Sequence, residues 1–254
     1  MVHFVGAGPG APDLITRRGA ALLQEADCII YAGSLVNPAL LGLAKPECAV
    51  YNSAEMTLEQ VLDVMHRVDA AGGTTVRLHT GDPCLYGAIR EQMDALDADG
   101  IPYDDTPGVS SFCGAAAALN AEYTLPTISQ TVIITRMEGR TPVPEKEQLA
   151  SLAAHGATMV IFLSIGLIDK VQRGPCWRVE PTRRRLLPPW STRPAGRSRR
   201  WCAAPWARWP GAPAPTALPK QHSSWWGIFW APGMSGASST TQPLRRSSAR
   251  GADQ

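Results

Sequence analysis

Short β-branched or apolar runs recur through the first two thirds of the chain, at residues 2–5, 28–31, 48–51, 75–79, 131–135 and 158–163, and helix-spaced segments separate most of them. In "TLEQVLDVMHRVDAAGG", Leu58, Val61, Leu62, Met65 and Val68 fall on one helical face. Thr57 is placed to cap that helix with Gln60 three residues on, and Gly72 and Gly73 end it. A second helix is predicted over residues 86–99, stopping at Gly100, and a third from near Ser110. His66 lies on a polar helix face, and Met65 and Met93 sit at core spacing, so all three read as structural. Strand–helix alternation with short loops implies an α/β fold, a mostly parallel sheet covered by helices.

A length of 254 residues suits one large or two small domains of this kind. No apolar run approaches the roughly 20 residues that cross a bilayer. The N-terminus starts a strand directly, without a targeting segment. The expectation is a cytoplasmic chain with no membrane partner. Six cysteines, at 28, 48, 84, 113, 176 and 202, form no C-x-x-C pair and have no paired histidines beside them. They read as buried or idle thiols, with no metal site.

Parallel sheets bind ligands in the loops at the carboxyl ends of their strands. Here those loops read "GAGPGAPDLIT", "AGSLV", "TGDPCLYG", "DTPGVSS", "TRMEGRTPVPE" and "LSIGL". The first satisfies the G-x-G-x-x-G/A dinucleotide pattern through Gly6, Gly8 and Ala11. Its confirming context is missing: the second strand ends in Ala32, Gly33 and Ser34 rather than an acid, and Pro9 and Pro12 each remove a loop amide. "TGDPCLYG" and "TPGVSS" are turns rich in Gly, Pro and hydroxyls, able to offer backbone amides and carbonyls to a polar ligand without phosphate.

As an ordered set, "GAGPGAPDLIT", "YAGSLV", "TGDPCLYG", "TPGVSS" and "ITRMEGRTPVPE" resemble the tetrapyrrole (corrin/porphyrin) methylases over residues 1–171. "YAGSLV" and "TRMEGRTP" are most similar to the branch that methylates C11 of precorrin-4 or cobalt-precorrin-4 in cobalamin synthesis. Ala11 departs from the "GPGDP" loop of many members, which weakens a match to the sister uroporphyrinogen methylases. The resemblance implies the class III methyltransferase fold: two α/β domains, S-adenosylmethionine in the cleft between them, and a homodimer. It implies cofactor contacts at Thr80, Gly81, Asp82, Leu85, Ser110, Ser111 and Leu163, with Pro9 lining the trough and touching the cofactor's edge. Asp13, Arg17, Arg18, Arg136 and Glu138 are candidates for the tetrapyrrole side, the arginines as partners of its carboxylates. No catalytic base stands out. The implied domains are residues 1–118, and 119–171 as the start of a second that is left incomplete.

Charge divides at the same place. Residues 1–171 carry 10 Lys and Arg against 20 Asp and Glu, whereas residues 172–254 carry 14 against 2. All eight tryptophans and 12 of the 22 prolines lie in that tail, which keeps no period of 2 or 3.6. A basic arm for nucleic acid or an anionic membrane surface would look like this, as would a disordered Pro/Arg-rich segment. The genetic code favours a third reading. Joining the last base of each codon to the first two of the next, the stretch from Gly174 permits A-L-L-A-G. The same offset applied from Trp226 to Leu244 permits G-D-F-L-G-A-R-Y-E-R-S-K-L-Y-D-P-A-F, which resembles the family's C-terminal segment. The tail therefore reads as a frameshift product starting near residues 171–173, which removes the ground for a nucleic-acid partner.

Overall fold

A computed structural model describes residues 1–139, 141–167, 170–171, 202–203 and 228–230. The first sheet holds five parallel strands: β1 (Val2–Gly6), β2 (Cys28–Tyr31), β3 (Ala49–Asn52), β4 (Thr75–His79) and β5 (Tyr103–Thr106), in the order β3-β2-β4-β1-β5. Phe4 pairs with Arg77 on one side and Asp105 on the other, so β1 lies between β4 and β5. All five strands thus end on one edge of the sheet.

Helices cover both faces. Val2, Phe4, Cys28 and Ile30 pack against Val61, Val64 and Met65 of α2 (Leu58–Ala70) and Leu96 of α3 (Arg90–Asp99). On the other face, Val5, Ile29, Val76 and Leu78 meet Leu23 of α1 (Arg17–Glu25) and Leu40 of a following 3-10 turn. Each large apolar side chain buried in this way contributes on the order of 2 kcal/mol relative to exposure. The Thr57–Gln60 capping box forms in both directions, with Gln60 N to Thr57 Oγ1 at 3.3 Å and Thr57 N to Gln60 Oε1 at 2.9 Å. Met65 is fully buried, Met93 packs at the edge of the same cluster, and His66 Nε2 lies 2.9 Å from Asp99 Oδ2 on the surface.

Around the first sheet, the structure departs most from the sequence reading at α3 and β5. Helix α3 starts at Arg90 rather than residue 86, because Tyr86 and Ala88 are left-handed (φ 58° and 50°). Its end is as expected, with Gly100 in the left-handed cap (φ 69°). The other is β5, an edge strand reading "YDDT" whose exposed Asp104 and Asp105 blunt its open side. Two adjacent acids hide it from any search for apolar runs.

Beyond α4 (Ser111–Leu119), a second sheet begins with β6 (Val132–Arg136) parallel to β7 (Thr158–Phe162), and α5 (Leu149–Ala153) packs against Ile133, Met159 and Ile161 of these strands. β8 (Cys202–Ala203) and β9 (Ile228–Trp230) continue it in the order β6-β7-β9-β8, with β9 antiparallel to β7. The remainder of residues 172–254, where the shifted-frame reading falls, lies outside the described residues. Among the described residues no helix is long and apolar enough to cross a membrane.

Candidate functional site

The carboxyl ends of β1, β4 and β5 meet backbone to backbone. Gly8 and Gly81 exchange two hydrogen bonds, Gly8 N to Gly81 O at 3.2 Å and Gly81 N to Gly8 O at 2.9 Å. A side chain on Gly6 would come within 2.5 Å of Gly108 Cα, and one on Gly108 within 2.0 Å of Gly81 O. No Cβ fits at either position, so the loops after these three strands form one surface. Asn37, just beyond "AGSLV", adds the loop after β2 by donating from Nδ2 to Gly10 O at 2.7 Å.

Thr80, Gly81 and Asp82 lie on this surface, with Ser110 and Ser111 across from Gly81: Ser111 N is 3.4 Å from where a Gly81 Cβ would stand. The Asp82 carboxylate joins two loops, accepting from Cys84 N at 2.9 Å and from Gly108 N at 3.1 Å. Ser110 is buried at the N-cap of α4, yet its hydroxyl makes no capping bond. Thr80 Oγ1 is buried without a hydrogen-bond partner among the described residues, an orphaned polar atom among these loops. Pro9 is buried in the first loop.

The second sheet closes the site from the other side. Phe162 at the end of β7 packs at a tilt of 45° against Tyr86 with ring centroids 5.4 Å apart, and Leu163 joins the same apolar cluster. Leu163 is left-handed (φ 54°), which ends β7 one residue earlier than the sequence suggests. Three residues that carry a Cβ, Tyr86, Ala88 and Leu163, thus adopt a conformation costing about 1–2 kcal/mol each, all beside this cleft. Burial pushes the Tyr86 phenol up; the Arg136 charge opposes that shift and the Glu147 charge adds to it.

The tetrapyrrole-side candidates are more scattered. Asp13 is exposed in a 3-10 turn, and Arg17 and Arg18 are exposed in the first turn of α1. Arg136 donates through its two terminal nitrogens to Thr141 O at 3.1 Å and Pro142 O at 2.8 Å, so it ties those two residues to the end of β6. Ser164 Oγ ties the ends of β6 and β7 together, accepting from Met137 N at 2.9 Å and donating to Phe162 O at 2.7 Å, while Glu138 beside it is exposed. Gly6, Gly108, Asn37 and Tyr86 are not among the site residues that the sequence implies. The glycines lay inside quoted motifs, but nothing local marks a glycine that abuts another loop.

Among the described residues no group of three or more His, Cys, Asp or Glu is placed to hold a metal ion. A cavity of about 430 Å³ bordered by Asp27, Tyr51, Val64 and Arg67 opens beside the amino ends of β2 and β4, on the opposite edge of the sheet from these loops. Its Asp27 carboxylate already accepts from Lys45 Nζ at 2.7 Å and Thr74 N at 2.8 Å.

The profile of the tetrapyrrole (corrin/porphyrin) methylases matches residues 1–175. The cobalt-precorrin-4 C(11)-methyltransferase of Methanocaldococcus jannaschii is 58% identical over 170 residues, a stretch that spans 67% of this chain and 66% of that protein. The X-ray structure of a cobalt precorrin-4 methyltransferase, described as a cobalamin biosynthetic enzyme, superposes with a TM-score of 0.65 at 50% identity, covering 67% of this chain and 71% of that one. Uroporphyrin-III C-methyl transferase from Thermus thermophilus, solved with S-adenosylhomocysteine, superposes at 0.54 with 27% identity, covering 68% and 71%.

Proposed function

Because the chain belongs to the tetrapyrrole (corrin/porphyrin) methylases, we propose that it derives from an S-adenosylmethionine-dependent methyltransferase acting at C11 of cobalt-precorrin-4 or its metal-free counterpart precorrin-4, in cobalamin biosynthesis. The observation that carries the reading is the single surface built from the loops after β1, β4 and β5, with Thr80 Oγ1 orphaned within it. The 58% identity to a protein named for the cobalt-containing form favours that form.

The residues present fit the cofactor. A ligand without phosphate, whose one anionic group is a carboxylate, suits loops that keep backbone amides and carbonyls but lose two amides to Pro9 and Pro12. Thr80, Gly81, Asp82 and Leu85 would hold one side of it, Ser110 and Ser111 the second, and Leu163 the wall from β7, with Pro9 at its edge. When bound, S-adenosylmethionine supplies a methyl group made electrophilic by its sulfonium sulfur. The protein's own task is positioning: the loops fix the donor while the trough beside Pro9 fixes the acceptor carbon at near-attack distance. The apolar cluster of Tyr86, Phe162 and Leu163 keeps water from the contact. Asp13, Arg17, Arg18 and Glu138 line the approach, the arginines as partners for the macrocycle's carboxylates, and Arg136 shapes its loop.

The same reading divides the chain into a domain of residues 1–118 and the start of a second at 119–171, and makes the enzyme a cytoplasmic homodimer. It makes residues 172–254 a frameshift product, supported by a family match that runs out by residue 175. The test is methyl transfer. The chain with its tail restored to the offset frame, given S-adenosylmethionine and each precorrin-4 form, is expected to yield a product heavier by one methylene and methylated at C11. A restored chain that transfers no methyl to either form overturns the assignment.

A further inference from the structure

Arg77 is a buried charge that the mechanism above leaves without a task. It sits in the middle of β4, 7% exposed, and among the described residues no carboxylate forms an ion pair with it. Loss of solvent pulls its pKa down to about 10, a measure of how unfavourable the site is for a cation. An apolar side chain of similar length would fill the space without that penalty. What the guanidinium adds is a directed pair of bonds: Nε donates to Gln92 Oε1 and Nη1 to Ile30 O of β2, both at 3.1 Å. Gln92, itself 4% exposed, turns its Nε2 back to donate to Ala88 O at 3.0 Å. Ala88 is one of the two non-glycine left-handed residues of the loop after β4, with Tyr86 two positions before it. Between them Gly87 packs so tightly on Pro83 that a Cβ would lie 2.1 Å from Pro83 O. The loop therefore carries strain at two points and folds back on itself at the third.

We propose that Arg77 and Gln92 are positioning residues for the cofactor loop, a buried relay from the sheet that holds the Ala88 carbonyl and so keeps Thr80 to Leu85 in the binding conformation. Arg77 is referenced to β2 through Ile30 and to β4 through its own backbone. The relay transmits the position of the rigid sheet centre to a strained segment, adding a directed bond at Ala88 to the packing at Tyr86 and Gly87. The proposal rests on the cofactor reading of this loop.

Hydrogen–deuterium exchange on the full chain tests it, through the loop amides of Cys84 and Leu85, which are bonded to Asp82 Oδ1 and Asp82 O. Gln92→Glu keeps an acceptor for Arg77 and removes the donor to Ala88. It is expected to leave the thermal midpoint and the exchange of β4 near the parent's, while loop amides exchange at least about tenfold faster. Arg77→Met, where it folds, is expected to give the same loop-limited signature. Unchanged loop exchange in Gln92→Glu overturns the proposal, as does a rise spread evenly over the first sheet, which would mark an ordinary core role. S-adenosylhomocysteine titration runs alongside on the frame-restored chain and its Gln92→Glu variant, with an expected loss of affinity of about tenfold. Failure of the restored parent to bind would count against the cofactor reading, while the exchange result still decides the relay.

Discussion

His79 ends β4 directly before the "TGDPCLYG" loop, 4% exposed, with its ring 6.1 Å from that of Phe4 and its Nε2 without a hydrogen-bond partner among the described residues. Burial, reinforced by the Arg77 charge, drives its pKa down to about 3, so the folded protein holds it neutral. An unfolded chain binds a proton at this residue below about pH 6.5 and the folded one does not. Stability from this group is therefore complete above pH 6.5 and is lost as pH falls toward 3, by about 1.4 kcal/mol per unit. Urea unfolding at pH 7 and pH 5 should show His79→Leu losing about 2 kcal/mol less stability than the parent across that interval; equal losses would mean that the imidazole titrates freely. Asp82 shows how far a single residue can be read from sequence. Its place in "TGDPCLYG" marks it as part of the site, but its carboxylate also joins Cys84 N to Gly108 N, a partner 26 positions away. Proximity across loops has no local signature.

At the scale of elements, the helices with clear boundaries were legible and the strained ones were not. Thr57, Gln60 and the Gly72–Gly73 pair announce both ends of α2, because capping chemistry is local. The sequence starts α3 four residues too early since Tyr86 and Ala88 carry side chains that ordinarily continue a helix; their left-handed backbone comes with non-local contacts, Tyr86 to Phe162 and Ala88 O to Gln92. β5 went unseen because pairing with β1, and not its own composition, makes "YDDT" a strand. The loops themselves were found from their Gly and Pro content, whereas their mutual contact was not. Gly108→Ala tests that contact: with a Cβ directed 2.0 Å from Gly81 O, one loop must move. The variant is expected to lower the thermal midpoint by several degrees, consistent with a cost of at least about 1–3 kcal/mol, and to abolish cofactor binding in the restored chain. A variant with parental midpoint and affinity would show that the loops separate without consequence.

For the whole molecule, the sharpest boundary is the change of composition near residue 171, where an acidic α/β sequence gives way to a basic one rich in Trp and Pro. On the proposed reading, the chain as written lacks the segment that completes the second domain and its share of the pocket, leaving strand edges and apolar surface to be covered otherwise. Isothermal titration should then find no micromolar binding of S-adenosylmethionine by the chain as written and clear binding by the frame-restored one. Micromolar affinity in the former would sink the claim that its pocket is incomplete. The contact of Gly6, Gly81 and Gly108 carries a different lesson, for anyone wishing to redesign such a protein. Three loops that touch through bare backbone offer no side chain to exchange, so on the proposed reading new substrate preference has to be sought at the rim, around Asp13 and Arg17, and the junction has to be inherited whole.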